Sequence, residues 1–209
     1  MRKRIRVFAA TILDPLLEAM RLVCRVGAWF GGFFLFAAAL LISVEIFIRK
    51  AFSISTGASD ELSGYWFAIA TTFAFGFTLL ERTHIRVDAL YLKFSPVWRA
   101  IADVFAAILL LWYFALLLYY GAGLVWDSWK INAHSRTNLY LPLVIPQLVW
   151  WLGLCLTMIS AVLLMMRATV HLILGEIDAS RALIGTRELE EEIQEELAML
   201  DEQRIKNRD

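Results

Sequence analysis

An all-α protein that crosses a membrane four times is what this sequence predicts, and three observations carry the prediction. Hydrophobic residues make up 60% of the 209, with a mean hydropathy of +0.64. A soluble domain runs nearer roughly 45–50% apolar. The excess is concentrated in four uncharged runs, Gly27–Val44, Leu62–Leu80, Val104–Trp126 and Leu143–Met166. Each is about as long as a helix needs to cross roughly 30 Å of hydrocarbon, whereas a soluble core gives shorter, more amphipathic runs. The third observation is the placement of the basic residues. Six precede the first run, two (Arg49, Lys50) follow it, four (Arg82, Arg86, Lys93, Arg99) lie between the second and third, two (Lys130, Arg136) between the third and fourth, and six after it. Alternate compartments hold sixteen against four, so the positive-inside rule places both termini and the 81–99 loop in the cytoplasm.

The organisation that follows has three parts. Residues 1–26 form a basic segment and an amphipathic helix at the membrane interface. Residues 27–174 form the transmembrane domain, with spans near 27–48, 62–80, 102–126 and 143–166. Residues 175–209 form an acidic cytoplasmic helix or tail.

In the first part, Asp14 is placed to cap a helix and Pro15 suits its first position. Asp14, Glu18, Arg21 and Arg25 make one polar stripe, with Leu16, Leu17, Met20 and Val23 largely opposite. Such a helix lies in the bilayer interface, and the basic residues ahead of it are attracted to anionic lipid. The alternative is a stalk that continues span one. The opening "VFAATIL" is short for a signal peptide, is ended by Asp14-Pro15, and has no small-residue cleavage site after it, so the segment is expected to be retained.

Span one carries Glu45 four residues before Arg49, a spacing at which the two neutralise each other. Asp60 or Glu61 opens span two, where a carboxylate favours a helix N-terminus. Span two then places Gly64, Ala68, Thr72 and Gly76 at successive steps of four. In lipid such a stripe lets two helix backbones approach closely. Whether it packs on a partner chain or within this chain stays open. Trp126 and Trp129 suit the interfacial belt at the end of span three, and Pro146 is placed to kink span four. Cys24 and Cys155 read as two small hydrophobes rather than a disulfide. In the tail, Leu189, Ile193, Leu197 and Leu200 form an apolar ridge on an acidic helix. Its charge density favours a solvated tail over a docking helix.

No catalytic, metal or cofactor-binding residue is expected. His84, His134 and His171 lie in loops or at span ends, not where haem needs axial ligands. None has zinc-like spacing. His84 and Asp88 are four apart, but two ligands make a weak site. There is no glycine-rich phosphate loop, and no nucleic-acid partner is expected. Membrane lipid is the surrounding that the composition requires. Three spans lack charge along their length, which argues against an ion path through this chain alone.

Two local sequences carry a family resemblance. One is "EIFIRKAF…ASDEL", with Arg49 after span one and Glu61-Leu62 opening span two. The other is "HIRVDAL", directly after span two, which contains His84, Arg86 and Asp88 and is preceded by Arg82. With the four-span plan, over roughly residues 30–165, the chain resembles the small membrane subunit of tripartite ATP-independent periplasmic (TRAP) transporters. Thr83 stands where family members often have glycine. The resemblance implies a scaffold in the bacterial inner membrane, paired with a large membrane subunit that holds the substrate and sodium sites. It also implies a periplasmic substrate-binding protein that delivers an organic acid anion. On this reading Arg82, His84, Arg86 and Asp88 sit in a cytoplasmic turn that holds topology and docks on the large subunit or on lipid headgroups. The competing class is a membrane anchor of a respiratory enzyme, for which the haem or quinone ligands are missing; a free-standing small channel or carrier is a third.

Overall fold

The computed structural model of the chain describes residues 9–54, 57–81, 96–137 and 139–175. Four helices account for nearly all of them: α1 (Asp14–Phe52), α2 (Ser59–Leu80), α3 (Pro96–Lys130) and α4 (Val144–Leu174). A five-residue π-helical turn, Ala9–Leu13, leads into α1. All four helices are long and apolar enough to cross a membrane. The His84 and Asp88 loop and the acidic tail lie outside the described residues.

The boundary expected at residue 26 is not a break in the backbone. α1 is one helix of 39 residues, roughly 58 Å long at 1.5 Å per residue, about twice the hydrocarbon thickness. No proline interrupts it after Pro15, and two of its three glycines, Gly27 and Gly31, pack against α2. Residues 14–26 therefore continue span one. They are also held by the bundle: Leu13, Leu17 and Cys24 are buried in one cluster with Leu80 of α2 and Leu163 and Leu164 of α4. The cap expected of Asp14 is corrected too. The residue preceding the helix is Leu13, in helical conformation and with no side-chain cap, because the π turn already winds the chain ahead of Asp14.

The helices form an open row rather than a closed ring. α2 lies between α1 and α4, and α4 carries α3 on its far side. The row follows from where the small residues fall. On α1 the buried positions Leu17, Cys24, Gly31, Ala38 and Glu45 recur every seven residues. On α4 Leu154, Ala161 and Ala168 do the same, and on α3 Phe114, Gly121 and Ser128. A seven-residue period is that of helices wound left-handed around each other.

Along these rows the backbones nearly touch. A Cβ at Gly31 would lie 2.9 Å from the Ala70 carbonyl oxygen of α2, and one at Gly27 would lie 2.9 Å from Phe73 Cδ1. A Cβ at Gly153 would lie 2.9 Å from Thr72 Cβ, and one at Gly76 would lie 2.9 Å from Cys24 Sγ. The lower half of the span-two stripe, Thr72 and Gly76, is thus an internal packing face between α1 and α4. Gly64, at the other end, has nothing within 4 Å of a would-be Cβ.

Two features of span four find their reasons here. Pro146 is the third residue of α4, where a missing N–H leaves no helical bond unmade, so it starts the helix rather than kinking it. Trp150 and Trp151 lie mid-run because α3 receives them: their rings lie 3.1 and 3.0 Å from the Cβ that Gly121 lacks. The Trp151 indole N–H donates to the Leu118 carbonyl at 3.0 Å. Cys24 and Cys155 are free thiols, as the reading of two small hydrophobes requires.

Adjacent glycines provide a stringent check. Gly31 meets backbone of α2, whereas Gly32 has open space. Gly31→Leu is expected to lower the melting temperature of the purified chain in detergent, since overpacking costs about 1–3 kcal/mol; Gly32→Leu leaves it unchanged. Equal melting curves for the two variants would mean that α1 and α2 do not cross at Gly31.

Candidate functional site

Two polar constellations close the row, one at each end, and between them runs a seam of hydroxyls. The first constellation gathers around Glu61, in the first turn of α2. Its Oε1 accepts from the Tyr65 hydroxyl, one turn along, at 2.5 Å. Its Oε2 accepts from the Thr137 hydroxyl, in the connection between α3 and α4. Charge-assisted bonds of this kind are among the stronger protein hydrogen bonds. They tie the start of α2 to a connection that is itself tightly built. Within it, the Ser135 N–H donates to the Leu141 carbonyl at 2.8 Å, and the Leu143 N–H to the Ala133 carbonyl at 2.9 Å. His134 and Pro142 form an isolated antiparallel bridge. The His134 ring stacks on Tyr140 at 4.3 Å between centroids. Asn132 and Tyr140 hold positive φ, 47° and 45°, which non-glycine residues adopt only where surroundings hold them there. The result is a shaped platform at this end of the bundle, with Ile131, Arg136 and Tyr140 exposed on it.

The second constellation lies at the opposite end. Arg167, near the end of α4, meets Asp14, at the start of α1, with two parallel contacts: Nε to Oδ1 at 2.9 Å and Nη2 to Oδ2 at 3.2 Å. The fork of a guanidinium matches a carboxylate in this geometry. It pins the outermost helix to α4, which α1 otherwise touches little.

The seam between them consists of Thr72, Thr157, Ser160 and Cys24. Thr157 Oγ1 lies 3.1 Å from the Gly153 carbonyl of its own helix and 3.3 Å from the Thr72 carbonyl of α2. Ser160 donates to the Leu156 carbonyl at 2.9 Å, and Cys24 Sγ lies 3.5 Å from Ser160 Oγ. These polar atoms satisfy each other or the nearby backbone, as buried groups in lipid must. Small hydroxylated side chains serve here as close-packing residues. Among the described residues no three His, Cys, Asp or Glu come together in a way that could hold a metal ion.

The candidates read from the sequence sort as follows. Arg49 bonds Glu45 at 3.4 Å, with the carboxylate buried and the guanidinium half-exposed. Glu61 reaches across 76 residues to Thr137 rather than only favouring its own helix terminus. Thr72 and Gly76 are buried in the bundle, Ala68 is half-buried and Gly64 exposed. Arg82, His84, Arg86 and Asp88 lie outside the described residues. The Asp14–Arg167 pair, Thr137 and the Gly27–Gly31 approach escaped the sequence reading. Signals existed for two of them: glycines four apart on α1, and opposite charges that the topology brings to one membrane face; nothing in the sequence marks Thr137.

The geometry defines a class: a four-span helical membrane protein whose polar side chains hold helix to helix and loop to helix. The family model for the DctQ component of tripartite ATP-independent periplasmic transporters matches residues 38–173, well over half the chain, which thus belongs to that family and is a TRAP transporter component. Neither the curated proteins nor the solved structures gave a match.

Each constellation has a direct check. Glu61→Ala and Thr137→Val are both expected to speed amide hydrogen exchange across Ala133–Leu143, while Asp60→Ala, one residue away, leaves it unchanged. Unaltered exchange in both variants would show that the connection stands without the carboxylate. Exchanging Asp14 and Arg167 is expected to recover the stability lost by either single change, with a coupling of roughly 1 kcal/mol in a double-mutant cycle. Additive losses would remove the pair from the account.

Proposed function

We propose that this chain is the small, scaffolding membrane subunit of a sodium-coupled TRAP transporter. It holds a large transport subunit in the bacterial inner membrane, and both its termini face the cytoplasm. The large subunit carries the substrate and sodium sites, and a periplasmic binding protein delivers an organic acid anion. The observation that carries this reading is the family match over residues 38–173. The structure supports the scaffold role in two ways. The polar side chains of the seam satisfy one another or the backbone, which suits a body that moves little. At most 39% of the most apolar stretch of any span is buried within the chain, which leaves wide helix faces for a membrane partner.

With this orientation the Glu61 platform faces the periplasm, where the binding protein arrives, and the Asp14–Arg167 pair lies at the cytoplasmic face. The residues Arg82, His84, Arg86 and Asp88 then fall in the cytoplasmic turn, as a docking surface for the large subunit or for lipid headgroups. The basic asymmetry of sixteen against four underlies this placement.

Two experiments test the proposal. Single cysteines at Thr83 and at Arg136 are expected to react with a membrane-impermeant maleimide from opposite sides, Thr83 only after the cell is opened. Labelling of Thr83 in intact cells would invert the topology. Co-expression with the large subunit is expected to give a complex that co-purifies on a tag placed on this chain, and removal of this chain abolishes sodium-dependent uptake. Full uptake without it would end the scaffold reading.

A further inference from the structure

We propose that the notch between α2, α3 and α4, beneath Glu61, binds one phospholipid with a primary ammonium headgroup, its acyl chain in the notch and its ammonium on Glu61. The site requires only that the chain spans a bilayer, so it stands apart from the scaffold role.

Three separate observations meet here. The first is the notch itself, about 170 Å³, lined by Tyr65 and Ala68 of α2, Leu124 of α3, and Pro146, Gln147 and Trp150 of α4. α4 lies between α2 and α3 in the row and forms the floor. Deeper in the bilayer, Phe75 of α2 and Phe114 of α3 meet edge to face with centroids 6.0 Å apart, which gives the groove over α4 an inner end. Ala68, from the small-residue stripe on α2, leaves the notch its width.

The second is Gln147 Oε1, which is buried and finds no hydrogen-bond partner. Buried polar atoms are nearly always paired. Water is a poor partner in such a place, since a buried water takes roughly two to four polar contacts and apolar walls stay dry. A phospholipid has donors in its ammonium and acceptors in its ester carbonyls, so it serves a carboxamide turned either way.

The third is the charge of Glu61. Its hydrogen bonds come from the neutral hydroxyls of Tyr65 and Thr137, and among the described residues it makes no ion pair. Glu45 and Asp14 each have an arginine. Tyr65 joins the two features, because it lines the notch and its hydroxyl reaches the Glu61 carboxylate at 2.5 Å.

Depth decides the class of occupant. Glu61 lies in the first turn of α2, at the level of the headgroups. Tyr65 and Ala68 lie roughly 9 and 14 Å deeper than Ser59 at 1.5 Å per residue. A cation at the surface joined to an apolar chain beneath it is the plan of an amino phospholipid. An anionic headgroup is repelled by Glu61, and a choline headgroup is covered by methyl groups and donates no hydrogen bond. A transmembrane helix, about 10–12 Å across, does not enter a space of this volume.

The test uses the full chain, equilibrated in nanodiscs of equal parts dioleoyl phosphatidylethanolamine, phosphatidylglycerol and phosphatidylcholine. The chain is then released into mild detergent and its retained lipid counted by native mass spectrometry. One phosphatidylethanolamine per chain is expected, at least fivefold over either other lipid. Glu61→Gln is expected to erase the preference while a lipid is still retained. Ala68→Phe, which fills the notch, is expected to abolish retention of all three lipids at unchanged helix content. Gln147→Leu is expected to lower retention at least threefold without lowering the lipid-free melting temperature, since it removes an unpaired buried atom. Retention by the wild type without headgroup preference, or a preference that survives Glu61→Gln, would overturn the ammonium site. Full retention in both Ala68→Phe and Gln147→Leu would place the lipid elsewhere and overturn the notch. If Ala68→Phe does not fold, Gln147→Leu alone decides that point.

Discussion

The constraint on which this structure depends is the distance at which two helix backbones can lie side by side in lipid. Apolar side chains gain nothing there by leaving their surroundings, so dispersion contacts and interhelical hydrogen bonds must hold the helices. Dispersion falls off within fractions of an ångström, and only small residues bring backbones that close. Gly31 against Ala70, Gly76 against Cys24 and Gly153 against Thr72 are the places where this happens. The open row of helices is the outcome of where those residues sit.

A row assembled in this way has edges, and the polar constellations act at its ends and edges. α1 is much longer than a bilayer requires, and its first turns are held to α4 by the Asp14–Arg167 pair together with the buried cluster around Leu13, Leu17 and Cys24. α2 begins beside a connection whose strained residues, Asn132 and Tyr140, need outside support, and Glu61 gives it from a neighbouring helix. The same carboxylate thus orders a surface loop and aligns a helix start. In a TRAP transporter component, these devices keep a thin layer of helices in shape while its broad faces remain available.

Much of this was legible before any coordinates. Uncharged runs of sufficient length give the four helices, and the steps of four from Gly64 to Gly76 mark a packing face, of which Thr72 and Gly76 are buried. The pairing of Glu45 with Arg49 follows from a spacing of one helical turn. The direction of the stripe was not legible. A small residue permits contact with any neighbour, and only the arrangement of α1 and α4 around α2 shows that its lower half is used up inside the chain. The continuity of α1 was the alternative rather than the preferred reading, because amphipathic residues at 14–26 look the same whether they meet lipid headgroups or the end of α4.

The sequence by itself determined the class, the number of spans and the family, since length, hydropathy and local motifs are properties of contiguous residues. Tertiary structure alone decided the partners of Asp14, Glu61 and Trp151, which lie 153, 76 and 33 residues away along the chain. It also decided which face of α3 is buried. A periodic pattern states that a helix has a face to cover, and the neighbour that covers it is set by how the helices lie in space.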